Sequence, residues 1–436
     1  MLFLDTVISE ILRKRLSPHF FSLVVILTAL TLKFLWLLSI PSQWTFIEND
    51  SVRYLRLSRD FGFFFFSDDF NFNSDSFYIT PGYPLFLSLF NSQNFKLIIV
   101  FQFLLLATSQ FILYKLVLKL TSKRIANLGL LVFVLESSSN LESFNLLTET
   151  LFNFIFILFL YFFGEQSRNN LTFFLAGILL GVGMLVRPVG QILLLPLLFI
   201  IYFKSHRKQI LLTLIFALTV ASSWIIRNHI AFDVPQLSGI QSLNLLQYEG
   251  AGSMAIESSQ SLAKVQLAES ELELSKLGGS ASISEIVQYR TTRGISLILN
   301  NPQGFFILHL QGACKILFGP GNANLKKLTQ HLDYSEFLIF FYATVSVLLR
   351  IVVTISVLFF VYTAAKRRRG LSPIQLYSIA SWILILISSG GANAYSRFRV
   401  PLIPLEILVI SLGIHGLREG SWVKRIFSSK LRWMSQ

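Results

Sequence analysis

The chain has 436 residues, of which 53% are hydrophobic and only 14% are charged. Soluble proteins carry about a quarter charged residues, so this composition excludes an ordinary soluble domain and indicates a chain whose solvent is lipid. The single cysteine, Cys314, excludes an intramolecular disulfide and a cysteine metal cluster.

Long apolar runs recur along the whole chain. About 20 apolar residues in a helix cross the hydrocarbon core of a bilayer. The first run begins near His19 and has span length, so we interpret it as a membrane helix and not as a cleaved signal peptide. The sequence therefore predicts an all-α membrane protein with about ten transmembrane helices, near 19–40, 96–118, 124–136, 146–164, 171–187, 189–203, 208–226, 337–365, 373–389 and 400–416.

The net charge of +14 is explained by membrane topology without a nucleic-acid partner. Lys and Arg cluster where apolar runs end, as at 13–15, 204–208 and 366–369. With the N-terminus inside, the cytoplasmic segments hold 20 Lys and Arg against 4 Asp and Glu, and the outer segments hold 15 against 18. The positive-inside rule then predicts a multi-pass protein of the cell (inner) membrane, in contact with membrane lipids, with both termini cytoplasmic.

Two outer segments are too long to be simple turns, and they divide the chain into three regions. An N-terminal transmembrane module at 1–226 includes the first outer loop, 41–95, and is followed by an outer-side region at 227–336. Transmembrane helices and a basic cytoplasmic tail complete the chain at 337–436. Both outer segments are predicted to carry short interfacial helices, among them Asp50–Phe64, Ser258–Leu277 and the amphipathic stretch Pro302–Phe318.

The first outer loop opens with residues that could carry chemistry. Glu48 and Asp50 follow the first span directly, and a carboxylate can take a proton from an attacking hydroxyl. Arginines recur every three residues from Arg53 to Arg59, and arginine can hold a phosphate with two hydrogen bonds. An ordinary interfacial helix with local ion pairs explains the same residues. A divalent metal is possible at the two acids, although two carboxylates do not make a strong site.

Further charges lie where other spans meet the outer face. Glu149 begins one span, Arg187 ends another, and Arg227 follows a third. Arg397 and Arg399 open the last span. Each of them alone could be an interface anchor. Together they place acids and arginines at one depth, which suits an anionic headgroup held against a general base.

Three charges fall inside predicted spans. Lys33 lies about seven residues from the outer end of its span and Glu406 about six residues from the outer end of the last one. Both are therefore roughly 10 Å deep at about 1.5 Å per residue. We expect a structural ion pair between Lys33 and Glu406. The environment of Arg350 stays open, because this residue could face a polar cavity or extend toward the membrane surface.

The order of these pieces resembles the polytopic GT-C glycosyltransferases that use polyprenyl-phosphate sugars, and within them the bacterial aminoarabinose-transferase and protein O-mannosyltransferase-like group. The resemblance spans most of the chain. It is carried by an ordered set of short motifs at 50–60, 80–87, 147–151, 181–188, 227–228 and 397–404.

The resemblance implies sugar transfer from a polyprenyl-phosphate donor to an acceptor hydroxyl of a lipid, glycan or protein on the non-cytoplasmic face. It implies an acidic base in the first outer loop, which maps onto Asp50 with Glu48 as its neighbouring candidate, because this chain has Glu48-Asn-Asp50 where such enzymes often have an Asp-Glu pair. The donor phosphate is assigned to outer-face arginines, and other polar residues are placed at the substrate. The predicted phosphate ligands are Arg53, Arg187, Arg397 and Arg399, and the predicted substrate contacts are Tyr54, Tyr83, Glu149, Arg227 and Tyr395.

Two alternatives remain open from the sequence. A flippase or other transporter of lipid-linked glycans should concentrate polar groups near the membrane midplane, often in repeated halves, and no internal repeat is evident. A glycan polymerase or ligase shares the topology and differs mainly in its donor, commonly a pyrophosphate-linked glycan. Gly177, Gly181 and Gly183 share one apolar helix and predict close helix packing, not a nucleotide site.

Overall fold

The computed structural model describes residues 19–41, 43–59, 75–90, 94–164, 169–203, 207–333, 335–367 and 371–419. Within these ranges the regular structure is helical and includes no strand, which confirms the predicted all-α class. The basic cluster at 13–15, part of those at 204–208 and 366–369, both termini and the C-terminal tail lie outside the described residues.

A helix lies at each of the ten predicted span positions. Four of them are long and apolar enough to cross a membrane: α1 (Phe20–Ser39), α5 (Phe95–Leu120), α11 (Arg207–Phe232) and α18 (Ser335–Arg367). The others are shorter: α6 (Lys123–Leu135), α8 (Glu149–Phe163), α9 (Asn170–Val186), α10 (Leu194–Phe203), α19 (Pro373–Ser388) and α20 (Leu402–Glu419). The number of membrane crossings therefore stays a prediction.

The two long segments that were predicted to lie on the outer side are also helical where the structure describes them. The first contains a 3-10 turn at Gln43–Phe46 and the helices α2 (Asn49–Arg59), α3 (Asp75–Tyr78) and α4 (Gly82–Ser88), while a six-residue helix, α7 (Ser137–Glu142), lies between α6 and α8. The second carries α12 (Ile240–Asn244), α13 (Ala251–Glu257), α14 (Leu262–Leu277), α15 (Ile283–Asn300), α16 (Pro302–Phe318) and α17 (Asn322–Thr329). The helix predicted at 50–64 is present to Arg59, and its last five positions lie outside the described residues.

Local sequence explains where several helices begin and end. Ser282 caps α15 and Ser372 caps α19, each accepting a hydrogen bond from the backbone three residues on in a reciprocal capping box. Pro188 disfavours a helical conformation at the residue before it, so α9 stops and Arg187 is extended, with φ −141° and ψ 126°. The chain turns at this point through the 3-10 segment Pro188–Leu193.

Glycines let α9 approach α11 closely. A Cβ atom added to Gly177 would lie 2.6 Å from the carbonyl oxygen of Thr213, and one added to Gly181 would lie 2.6 Å from the Cβ of Val220. Any larger side chain would force the two helices apart, so the predicted packing role of these two glycines is confirmed. At Gly183 the nearest atom would be 3.7 Å away, an ordinary contact, so packing does not require that glycine.

The expected pair between Lys33 and Glu406 is wrong. Glu406 instead receives two hydrogen bonds of 2.7 Å from Arg350, and both side chains are 1% exposed. The Lys33 ammonium donates to the carbonyl of Asn140 and to the hydroxyl of Ser143. The position of a residue along a span carries no information about which side of its helix it occupies, and the prediction failed for this reason.

Removing one partner of the Arg350–Glu406 pair should destabilise the protein far more than removing both. Arg350→Met leaves a buried carboxylate without its cation, which costs about 3–5 kcal/mol. In Arg350→Met/Glu406→Leu most of this loss should be recovered, as measured by thermal unfolding in detergent. A double variant as unstable as the sum of the two single variants would show that pairing is not the source of the effect.

Candidate functional site

Three helix ends bring one acid and two arginines together. Glu149 is the first residue of α8, Arg187 follows α9, and Arg397 lies in the 3-10 helix Ser396–Arg399. The Glu149 Oε1 atom is 2.9 Å from Nη1 of Arg187 and 3.4 Å from Nε of Arg397. The Glu149 side chain is 2% exposed, so the carboxylate is buried and is neutralised by both guanidinium groups.

A second acid meets the same arginine from the solvent side. Asp50, in the first turn of α2, places its Oδ2 atom 3.3 Å from Nη2 of Arg397. Its side chain is 44% exposed, in contrast to that of Glu149. Arg397 therefore bridges a buried carboxylate and an accessible one, which is the juxtaposition expected if an anionic group and a general base must act at neighbouring atoms.

Aromatic side chains line the same place. The rings of Tyr54 and Tyr83 pack edge to face at 5.2 Å, and the Tyr83 hydroxyl donates to Gln102 at 2.9 Å. Burial, followed by the negative charge of Asp50, raises the pKa of Tyr54 well above its ordinary value, so this hydroxyl stays protonated. Tyr395 stacks against Arg397 with its ring centre 4.9 Å from the guanidinium carbon, and much of this ring is exposed.

Some buried polar atoms at the site keep bonding capacity. Oε2 of Glu149, Nη1 of Arg187 and Nε of Arg397 form no hydrogen bond with the described residues, although the two nitrogens take part in the ion pairs with Oε1. Buried polar groups are usually satisfied, so unused capacity on the two arginines is notable. Guanidinium groups that keep unused donors in a largely buried position can donate them to an incoming phosphate.

Two residues that the sequence interpretation overlooked complete the surroundings. Lys327 on α17 donates to Oε1 of Glu48 at 2.7 Å and to the carbonyl of Ile47 at 2.8 Å. Asn324, one turn earlier on α17, donates to Oε1 of Glu142 at 2.6 Å. α17 thus contacts both Glu48 and Glu142, the acids that lie beside Asp50 and Glu149. Glu142 lies seven residues before Glu149, across a non-helical segment, and no pattern in the sequence singled it out.

Two predicted ligands, Arg227 and Arg399, are engaged elsewhere, and Arg53 lies on α2 one turn after Asp50. The guanidinium of Arg399 is fully buried and donates to Glu136, to the hydroxyls of Ser137 and Ser138 and to main-chain carbonyls, so it has no donor to offer a phosphate. Arg227 donates to Ser76 and stacks on aromatic rings, and Arg53 is exposed on α2. The structure therefore brings together Asp50, Tyr54, Tyr83, Glu149, Arg187, Tyr395 and Arg397, with Glu48 close by.

The described residues contain no group of three or more His, Cys, Asp or Glu side chains arranged to hold a metal ion. Glu48, one of the two acids considered for a metal, is engaged with Lys327, and Asp50 is engaged with Arg397. Both carboxylates considered for a metal, Glu48 and Asp50, thus already have a positive partner.

Residues 83–227 match the family model described as dolichyl-phosphate-mannose-protein mannosyltransferase. The matched segment is about a third of the chain and contains Tyr83, Glu149, Arg187 and Arg227. It is thus a domain of the GT-C glycosyltransferase type, which confirms the resemblance drawn from the sequence. No curated protein sequence matches the chain.

The fold is similar to that of the Archaeoglobus fulgidus oligosaccharyltransferase. The structure tethered to an acceptor peptide gives a TM-score of 0.52 at 16% identity, covering 92% of this chain and 50% of that one. The apo form gives 0.51 at 16% identity, with 97% and 53% covered. ArnT from Cupriavidus metallidurans gives only 0.38 at 13% identity, with 90% and 76% covered. The chain spans about half the length of the archaeal protein, and at this identity the likeness concerns the fold alone.

Stability should depend on the ionisation of Glu142. Burial, followed by the charge of Glu149, raises its pKa from 4.5 to about 7. The folded state therefore favours the neutral acid, and the stability that this form contributes at low pH is lost as pH rises toward about 7. Glu142→Gln is neutral at every pH. The thermal stability of this variant minus that of the wild type should therefore be more positive at about pH 8 than at about pH 5.

The matched control for this measurement is Glu271→Gln, because Glu271 is an exposed glutamate of α14. Its stability relative to the wild type should not change between the two pH values. Parallel pH profiles for the wild type and Glu142→Gln would contradict the assignment.

Proposed function

We propose that the chain is an integral-membrane glycosyltransferase that moves a sugar from a polyprenyl-phosphate donor to an acceptor hydroxyl on the non-cytoplasmic face of the cell (inner) membrane, with both termini cytoplasmic. The observation that carries the proposal is the bridge made by Arg397 between the accessible Asp50 and the buried Glu149, beside Arg187. This arrangement offers a base and two phosphate ligands within one small volume.

The two arginines are suited to the leaving phosphate. When the sugar departs, the bond between the anomeric carbon and the phosphate oxygen breaks, and both electrons stay on the phosphate. Arg187 and Arg397 are already oriented by Glu149, so little reorganisation is needed when this charge develops. Glu149 acts here by holding the arginines, because its buried carboxylate is largely withdrawn from solvent.

Asp50 is the better candidate for the base. Its carboxylate is accessible, and its contact with Arg397 is long at 3.3 Å. Glu48 forms a short ion pair with Lys327, so its carboxylate is already engaged by a cation. In the proposed reaction Asp50 takes the acceptor proton while the hydroxyl oxygen attacks the anomeric carbon.

The comparisons support this proposal at a coarser level. The matched mannosyltransferase segment contains both Glu149 and Arg187, although the chain spans only part of the archaeal relatives in length. One solved structure of the archaeal oligosaccharyltransferase carries an acceptor peptide, a property of that protein. The acceptor of this chain is left as a lipid, a glycan or a protein.

The alternatives are distinguished by their chemistry. A flippase would move a lipid-linked glycan without breaking the bond between sugar and phosphate. A polymerase or ligase would break that bond in a donor carrying pyrophosphate. Release of polyprenyl phosphate together with a glycosylated acceptor supports the transferase, whereas translocation of an intact donor by the purified protein supports the flippase.

Asp50→Asn should abolish transfer while the protein still folds. Loss of a general base lowers the rate by at least about 100-fold, and the half-exposed position of Asp50 predicts little change in thermal stability. Transfer can be followed with a fluorescent acceptor and a polyprenyl-phosphate sugar in proteoliposomes. Glu48→Gln is the comparison and should retain more activity. Full activity in Asp50→Asn would exclude Asp50 as the base.

Arg187→Lys and Arg397→Lys should each lower kcat/KM for the donor about 10- to 100-fold. Lysine keeps the charge that Glu149 requires but removes the planar fork that binds a phosphate with two hydrogen bonds. The matched control is Arg56→Lys, an exposed arginine on the same helix as Asp50, which should leave kcat/KM unchanged. Equal losses for all three changes would show that the effect is not specific to the two arginines paired with Glu149, and would contradict their assignment as phosphate ligands.

A further inference from the structure

The C-terminus of α16 is held by arginines that lie deep inside the protein. The last carbonyls of a helix have no partner within the helix and need donors from elsewhere. Nη1 of Arg399 donates to the carbonyls of Ile316 at 2.8 Å and of Gly319 at 3.0 Å. Nε of Arg350 donates to the carbonyl of Leu317 at 3.0 Å. Positive charge at this end also complements the helix dipole.

Arg399 uses its remaining donors on the segment that joins α6 to α7. Nε donates to Oε1 of Glu136 at 2.9 Å, and Nη2 donates to the hydroxyls of Ser137 and Ser138. The other oxygen of Glu136 caps α7 by accepting from the backbone of Ser139 at 2.9 Å. One guanidinium therefore fixes the end of α16, the start of α7 and its own 3-10 helix.

Arg350 forms an equally buried pair that does not include the 3-10 helix. It lies on α18 and meets Glu406 on α20, which also accepts from the Trp382 indole at 3.2 Å. Arg350 and Arg399 thus share a helix end, near-complete burial and a carboxylate partner. Only Arg399, however, lies on the 3-10 helix that carries Arg397.

We propose that Arg399 is a positioning residue for the transfer reaction. By fixing the 3-10 helix Ser396–Arg399 against Glu136 and the end of α16, it holds Arg397 where its guanidinium reaches Asp50 and Glu149 together. The inference rests on the proposed function of Arg397. It also links α16 to the site, because movement of α16 would displace the guanidinium that fixes the 3-10 helix.

The test compares Arg399→Lys with Arg350→Lys. Both changes keep the charge and lose the fork, so both should lower thermal stability to a similar extent. Arg399→Lys should also lower kcat/KM for the donor about 100-fold, the cost of a small misplacement at a reacting centre. Arg350→Lys should lower it at least tenfold less, because Arg350 holds the same end of α16 but does not lie on the 3-10 helix that carries Arg397. Equal losses of activity in both variants would overturn the proposal.

A double-mutant cycle tests whether Arg399 acts through Arg397. If it does, Arg399→Lys should have little further effect on kcat/KM when Arg397 is already lysine. Independent, multiplicative losses would mean that Arg399 acts in some other way. Failure of the proposed function would look different. In that case the wild type itself would transfer no sugar from any lipid-linked donor.

Hydrogen exchange gives a measure that does not require activity. In Arg399→Lys the backbone amides of residues 394–401 should exchange faster than in the wild type, whereas in Arg350→Lys they should exchange at the wild-type rate. Unchanged exchange of this segment in Arg399→Lys would overturn the positioning role, whatever reaction the protein catalyses.

Discussion

The arrangement of the site depends on neutralising one buried carboxylate. Glu149 begins an apolar helix and is almost wholly removed from solvent, a position that an isolated charge could not occupy. Its neutralisation requires the end of α9 and the 3-10 helix to converge on the start of α8, because those elements carry Arg187 and Arg397. The accessible Asp50 then joins through the second arginine, so the geometry of the candidate site follows from a requirement of burial.

The buried ions fall into two kinds. Arg350 with Glu406, and Arg399 with Glu136, direct their donors to carboxylates and main-chain carbonyls. The ions around Glu149 are looser, with misaligned contacts and polar atoms that lack hydrogen bonds. Satisfied pairs rigidify the helices around them, whereas a partly satisfied cluster retains capacity for a ligand. Buried charges whose hydrogen-bonding atoms are all used therefore support the fold, whereas those with unused atoms can still bind a substrate.

The sequence predicted the helices and several of the residues that lie together around Arg397, and it failed where direction around a helix mattered. Apolar run length located the helices, and Gly177 and Gly181 were correctly assigned to packing. Lys33 was given the wrong partner because depth alone does not specify which face of a helix a residue occupies. Arg397 and Arg399 looked equivalent in sequence, yet they lie on opposite sides of one short turn. Lys327 carried no signal, because its contact with the first outer loop spans about 280 residues.

The spacing of the ions along the chain has a consequence for biosynthesis. Glu149 and Arg187 lie at the facing ends of the hairpin formed by α8 and α9, so a nascent chain can deliver this acid to the membrane together with its own counter-charge. Arg350 is synthesised well before Glu406, so it cannot form its ion pair until α20 has been synthesised. The segment from the 3-10 helix Ser396–Arg399 through α20 therefore completes both the Arg350–Glu406 pair and the cluster around Glu149, and a nascent chain without this segment would lack both.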